Sequence, residues 1–171
     1  MKLWILDADV IIDLLSLDLF ESLIAKNEVH VATTVIGEVK SFKKGEGYQE
    51  IDFRSTYVET GKVTEHSASI EEIKETVISK LPTIWQQTIH MGELESLAIL
   101  AKEEDCIFCC CDSATIRTLP FIDASERGIS VERLISATGL KRIPLEPKHT
   151  EEYFQNNLKI GKTRRIQDFK F

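Results

Sequence analysis

Apolar and polar positions alternate between two periods along the chain. Trp4, Ile5 and Leu6 form a short apolar run that Asp7 breaks. After Ala8 and Asp9, apolar residues resume at Val10, Ile11, Ile12, Leu14 and Leu15. The first run suits a strand buried on both faces and the second suits a helix, so Asp7 is expected where a buried strand hands over to a helix. Asn27 to Thr33 alternates as a second strand. Thr33 or Thr34 then caps a helix carrying Glu38 in its first turns. Lys40 to Arg54, rich in lysine and glycine, reads as a mobile loop, and Tyr57 to Glu65 as a short strand or hairpin. A helix is expected from Ser67 or Ser69 to about Lys80, ended by Pro82. Another runs from about Gly92 to Glu104, with Leu94, Leu97, Ala98 and Ala101 on one face. Cys106 to Cys111 is a continuous apolar run of central-strand type, followed by Asp112 and a short helix up to Leu119. A helix capped by Ser130 ends near Gly139. The polar segment from Glu151 is expected to order as one helix. Strands alternating with helices predict an α/β fold: three layers, α/β/α, around a central and mainly parallel sheet.

Length adds that 171 residues make one domain with a sizeable core. Pro144 and Pro147 mark an exit from it, dividing a domain of residues 1–145 from a basic extension of residues 146–171. The net charge of −7 argues against a protein that coats nucleic acid by bulk charge. The charge is uneven, with eight basic against four acidic residues from Thr138 onward. An acidic body with a basic tail fits a polyanionic partner. Cys106, Cys109, Cys110 and Cys111 fall in one segment, unlike a secreted disulfide framework. Met1-Lys2 leads directly into the core pattern without a signal peptide, and no apolar stretch spans a bilayer. A cytoplasmic protein with reduced thiols and no membrane association is the expectation. The spacing Cys106-x-x-Cys109 suggests zinc only weakly, because buried strand cysteine explains it as well. His30, His66, His90 and His149 are scattered.

The chemistry lies in the carboxylates. Asp7 and Asp112 each follow an apolar strand and precede a helix, while Glu38 and Glu93 lie near helix starts. Helix N-termini that follow parallel strands point to one edge of the sheet, where ligands of open α/β folds bind. Four acids gathered there repel one another, and divalent cations relieve the repulsion. Oxygen ligands suit Mg²⁺ or Mn²⁺, and a pair of such ions can activate a water and steady the leaving oxygen of a phosphodiester. Against this, Asp7 and Asp112 taken singly read as helix caps, and Glu38 and Glu93 as complements to helix dipoles. Glu95 diverges from Glu93 on a helix and reads as solvated or as a supporting residue. Asp9 reads as a cap or surface group.

Four stretches, Ile5–Leu15 (ILDADVIIDLL), Thr33–Val39 (TTVIGEV), Gly92–Ala101 (GELESLAILA) and Cys111–Thr118 (CDSATIRT), resemble the PIN domain family in that order. Glu126–Ile135 (ERGISVERLI) resembles a segment of the branch whose third acid opens a helix as Gly-Glu. The likeness covers about Lys2 to Ala137. It implies a parallel sheet between helices and Mg²⁺- or Mn²⁺-dependent endoribonuclease activity on RNA. It places both the catalytic and the metal-binding acids on Asp7, Glu38, Glu93 and Asp112. It also implies a toxin of a toxin–antitoxin pair, with an antitoxin protein as partner and a homodimer as assembly. Asp9 stands where the family often has Asn, Ser or Thr, and the stretch from Lys40 to Arg54 and the tail match no family motif. Two alternatives remain open. One is a PIN-like fold kept for RNA or protein binding. The other is a haloacid-dehalogenase-like phosphatase, suggested by Asp7-Ala8-Asp9-Val10 but lacking an acid after Asp112 and the expected residue at Ile11.

Overall fold

The structure is a computed structural model that describes residues 3 to 168. The first two residues of the expected domain and the last three of the basic extension lie outside them. Among the described residues the strands are β1 (Leu3–Leu6), β2 (Val29–Ala32), β3 (Ser41–Lys44), β4 (Gly47–Glu50), β5 (Thr64–His66), β6 (Cys106–Cys109) and β7 (Gly128–Ile129). The α-helices are α1 (Ala8–Ser16), α2 (Phe20–Ile24), α3 (Thr33–Glu38), α4 (Ile70–Thr76), α5 (Thr83–Gln86), α6 (Met91–Lys102), α7 (Ser113–Thr118), α8 (Val131–Thr138) and α9 (Glu151–Asp168). None of them is long and apolar enough to cross a membrane.

The central sheet runs β5-β2-β1-β6-β7, with every pairing parallel. The fold is thus the expected three-layer α/β/α arrangement. Trp4, Ile5 and Leu6 of β1 are all buried, as a central strand covered on both faces requires. β1 lies between β2 and β6, where the chain order along the sheet reverses. At such a reversal, open α/β sheets place their ligands beyond the carboxyl ends of the strands, here those of β1 and β6. α6 buries almost its whole length, Gly92 to Leu100, including the polar side chains of Glu93, Glu95 and Ser96. Ser96 satisfies its hydroxyl on the Gly92 carbonyl at 2.8 Å.

Several local expectations change, among them the cap of α3, which is Ala32 without a side-chain hydrogen bond and neither Thr33 nor Thr34. Lys40 to Arg54 is not a loop: β3 and β4 form an antiparallel hairpin with Lys44 paired to Gly47. Gly45, at φ +61, supplies the left-handed backbone that the two-residue turn needs. Only Phe42 of the hairpin strands is buried, so no alternation marks it in the sequence. The Tyr57 region begins as a helical turn, Arg54–Val58. Phe53 and Tyr57, one turn apart, stack on Phe20 with ring centroids 5.7 and 5.0 Å from it. Only Thr64–His66 of that stretch is strand. α3 has six residues, so Glu38 closes the helix instead of sitting in its first turns.

The segment from Glu151 is one helix, as expected, and it packs on the body. Phe154 and Leu158 enter the core. Gly161 lies so close to the Arg117 carbonyl that a Cβ has no room. Arg117 Nε donates to Asn157 at 2.9 Å, and Ser130 donates to Glu151 at 2.6 Å. The tail helix therefore shares the hydrophobic core of residues 1–145. Phe154→Ala should cost about 3–5 kcal/mol of unfolding free energy in urea titration, the usual cost of a large-to-small change at a fully buried aromatic. Lys159→Ala, on an exposed position of the same helix, should cost less than about 0.5 kcal/mol. Equal, small losses for the two variants would mean that the helix does not contribute to the core.

Candidate functional site

Asp7 is the residue after β1. Its amide continues the ladder to β6, donating to the Cys109 carbonyl at 3.2 Å. It occupies the N-cap position of α1 in extended conformation, yet its side chain makes no capping hydrogen bond. The carboxylate is 3 % exposed. Burial first, and then the charge of Glu93, push its pKa up to about 8. Asp9 and Glu38 add to the rise, and the adjacent Ala8 amide offsets part of it. A carboxyl that neither caps its helix nor reaches solvent is held in the negative field of its neighbours.

The other acids are positioned by the same sheet edge. Asp112 caps α7, and its Oδ1 accepts from the Thr115 amide at 2.9 Å and the Thr115 hydroxyl at 3.0 Å. Glu93 is buried in the first turn of α6, where Oε2 accepts from the His90 amide at 2.8 Å. Burial raises the Glu93 pKa, and the charge of Asp112 adds to the rise against the pull of the His90 amide. Glu38 is exposed at the rim. A Cβ at Gly92 would sit 2.7 Å from Glu38 Oε2, so glycine there lets this carboxylate lie over the start of α6. Desolvation raises the Glu38 pKa as well, with Asp9 and Glu95 reinforcing it and His90 opposing.

The structure thus brings Asp7, Glu38, Glu93 and Asp112 into one electrostatic neighbourhood, with exposed Asp9 beside them. Among the described residues, no three of these acids bring oxygens within 4.8 Å of one another. Capping and clustering coexist: Asp112 is a cap and Glu93 holds a cap amide, but each uses one oxygen for it. Of the two readings of Glu95, solvated or supporting, the structure excludes the first. It is 4 % exposed, and its two oxygens accept from the Thr34 amide at 2.8 Å and the Ala68 amide at 3.1 Å. It is a strut between α6, α3 and the entry to α4, and its oxygens are committed. The two-residue offset separates it from Glu93, as the sequence implies, although its charge still reaches Glu38. It did not reveal that other backbone amides would receive it.

An all-oxygen, all-anionic donor set fits a hard divalent cation. Mg²⁺ takes one or two carboxylates directly and keeps several waters, so it does not need three acids to meet at one point. No known protein family, curated protein or solved structure matches this chain.

Because the folded protein holds a proton on Asp7 up to about pH 8 while the unfolded chain releases it near its ordinary value of 3.8, this group favours folding at low pH. Its contribution is complete below pH ~4 and is lost as the pH rises through ~8. Asp7→Asn should therefore match the wild type in stability near pH ~4 and exceed it by about 2–5 kcal/mol near pH ~9. Urea unfolding of both proteins across that range measures the difference. A constant difference, independent of pH, would show that Asp7 is not held protonated by its surroundings.

Proposed function

We propose that the protein is a metal-dependent endoribonuclease of PIN-like type that hydrolyses RNA phosphodiester bonds. The observation that carries this is Asp7: a buried carboxyl at the end of the central strand, free of capping duty, facing the charges of Glu93, Glu38 and Asp9. Asp7, Glu38, Glu93 and Asp112 would hold one or two Mg²⁺ or Mn²⁺ ions. A divalent ion in such a site supplies water activation near neutral pH and takes up negative charge on the phosphodiester.

The chain's own residues prepare the place. The β1–β6 ladder fixes the Asp7 backbone, so its carboxyl is presented without a search through rotamer-rich loops. The Thr115 amide and hydroxyl hold one oxygen of Asp112, and the His90 amide holds one oxygen of Glu93. Each leaves the second oxygen for a cation. Glu38, exposed and over Gly92, is the acid able to move as substrate enters. The chain runs from Glu38 through Lys40 into the β3–β4 hairpin, and Lys40, Lys43 and Lys44 are exposed. Lysines beside an acidic centre can carry a phosphate backbone past it. The resemblance to PIN domains supports RNA as the substrate, an antitoxin protein as the inhibiting partner, and a homodimer as the working assembly.

Purified protein should cleave single-stranded RNA with Mn²⁺ and stop when a chelator is added. Asp7→Asn should lose on the order of a hundredfold or more, the scale on which removal of one electrostatic partner of a transition state is felt. Gel analysis of end-labelled RNA reads both. Cleavage that ignores the chelator, or that persists undiminished in Asp7→Asn, overturns the mechanism. RNA retained without cleavage points instead to a PIN-like fold kept for binding.

A further inference from the structure

A second group of ligating side chains lies beside the acids but shares none of them. Asp13 comes from α1, Cys111 from the link between β6 and α7, and His149 from the turn Pro147–His149 that leads into α9. A carboxylate oxygen of Asp13, the sulfur of Cys111 and a ring nitrogen of His149 all lie within 4.8 Å of one another. His149 and Cys111 are each 3 % exposed, whereas the Asp13 side chain is partly open to solvent. His149 Nε2 is 2.7 Å from Asp13 Oδ2. Its Nδ1 is the one buried side-chain nitrogen or oxygen among the described residues with no hydrogen-bond partner. Lys148 Nζ stands 2.7 Å from the same Asp13 oxygen.

One nitrogen, one sulfur and one oxygen from three separate segments make a ligand set for a borderline-soft ion, unlike the all-oxygen set around Asp7. The imidazole meets Asp13 through Nε2 and is buried with its other nitrogen, Nδ1, unpartnered, so its protein neighbours satisfy only one side of the ring. We propose that Asp13, Cys111 and His149 bind one zinc-class divalent ion, which pins the C-terminal segment to α1 and to the exit of the central strand β6. Binding releases the Cys111 thiol proton to solvent and leaves a thiolate and a carboxylate to balance the ion's two charges. The fourth coordination position, on the open side at Asp13, takes water. Lys148 is the ion's competitor. Its ammonium satisfies Asp13 in the metal-free protein and swings out to solvent when the ion arrives. The proposal is independent of the nuclease reading, since Asp7, Glu38, Glu93 and Asp112 donate nothing to this site.

The test uses the full chain, stripped of metal, kept reduced, and titrated with Co²⁺. One equivalent should bind and give the near-ultraviolet cysteine-to-cobalt charge-transfer band. Zn²⁺ should abolish the band, and a large excess of Mg²⁺ should not. The band should vanish in Cys111→Ser and survive in Asp7→Asn. Lys148→Met, which removes the competing ammonium from a partly exposed position, should bind several-fold more tightly. Folded wild-type protein without the band, or a band that persists in Cys111→Ser, overturns the site. If Cys111→Ser does not fold, Lys148→Met decides: tighter binding supports the site, and unchanged or weaker binding overturns it.

Discussion

The structure depends on one unfavourable placement, a carboxyl buried at the end of its central strand. Asp7 follows three buried residues of β1, and its amide is still part of the β1–β6 ladder. The backbone at Asp7 is therefore fixed by a central strand pairing, and the side chain starts from a buried position. In a low-dielectric setting, neighbouring negative charges act on it with little screening. It stays neutral by keeping its proton, or it ionises with a cation as company. The native state tolerates this because the surrounding core is large and continuous. Functional sites commonly carry such a local cost within a fold that is stable overall.

The acids around Asp7 show how partners, more than position, divide carboxylates by role. Glu93 and Glu95 stand two residues apart on α6, and both are buried. Glu95 has two backbone amides, from Thr34 and Ala68, and is spent on holding three segments together. Glu93 has one amide, and Asp112 commits one oxygen to Thr115. Glu38 has no hydrogen bond of this kind and relies on the bare backbone of Gly92 for its place. A cap that uses one oxygen is compatible with a ligand that uses the other. The choice between capping and metal binding posed by the sequence is therefore not a choice for Asp112 or Glu93.

What the sequence made legible was whatever local period and local capping decide. The β1 run, the α1 stripe, Ser69 and Ser130 as caps, and the acids after strands all fall into this class. Their conformations are set by residues within one turn of each other. What stayed hidden was set across long separations. The β3–β4 hairpin buries one residue, Phe42, so its pattern resembles that of a loop. β7 is two residues long and exists only because β6 has an open edge at Phe108 and Cys109. Glu95 finds amides 61 and 27 positions away. His149 meets Asp13 across 136 residues, a pairing that spacing cannot announce.

The charge asymmetry along the chain acquires a different meaning once the tail is in place. As a free arm, a basic extension would attract a polyanion by itself. In the fold, several of its cations already face body carboxylates: Lys148 faces Asp13, Lys162 faces Glu126, and Arg165 faces Asp123. Arg164 pairs within the helix with Asp168. Exposed pairs of this kind add little stability, but they cancel much of the tail's outward field. The exposed cations next to Glu38 along the chain are Lys40, just before the hairpin, and Lys43 and Lys44 on it. Part of the tail's charge is thus spent on holding the C-terminal segment to the domain, and the exposed lysines of the β3–β4 hairpin, which no motif marked, carry no such ion pair among the described residues.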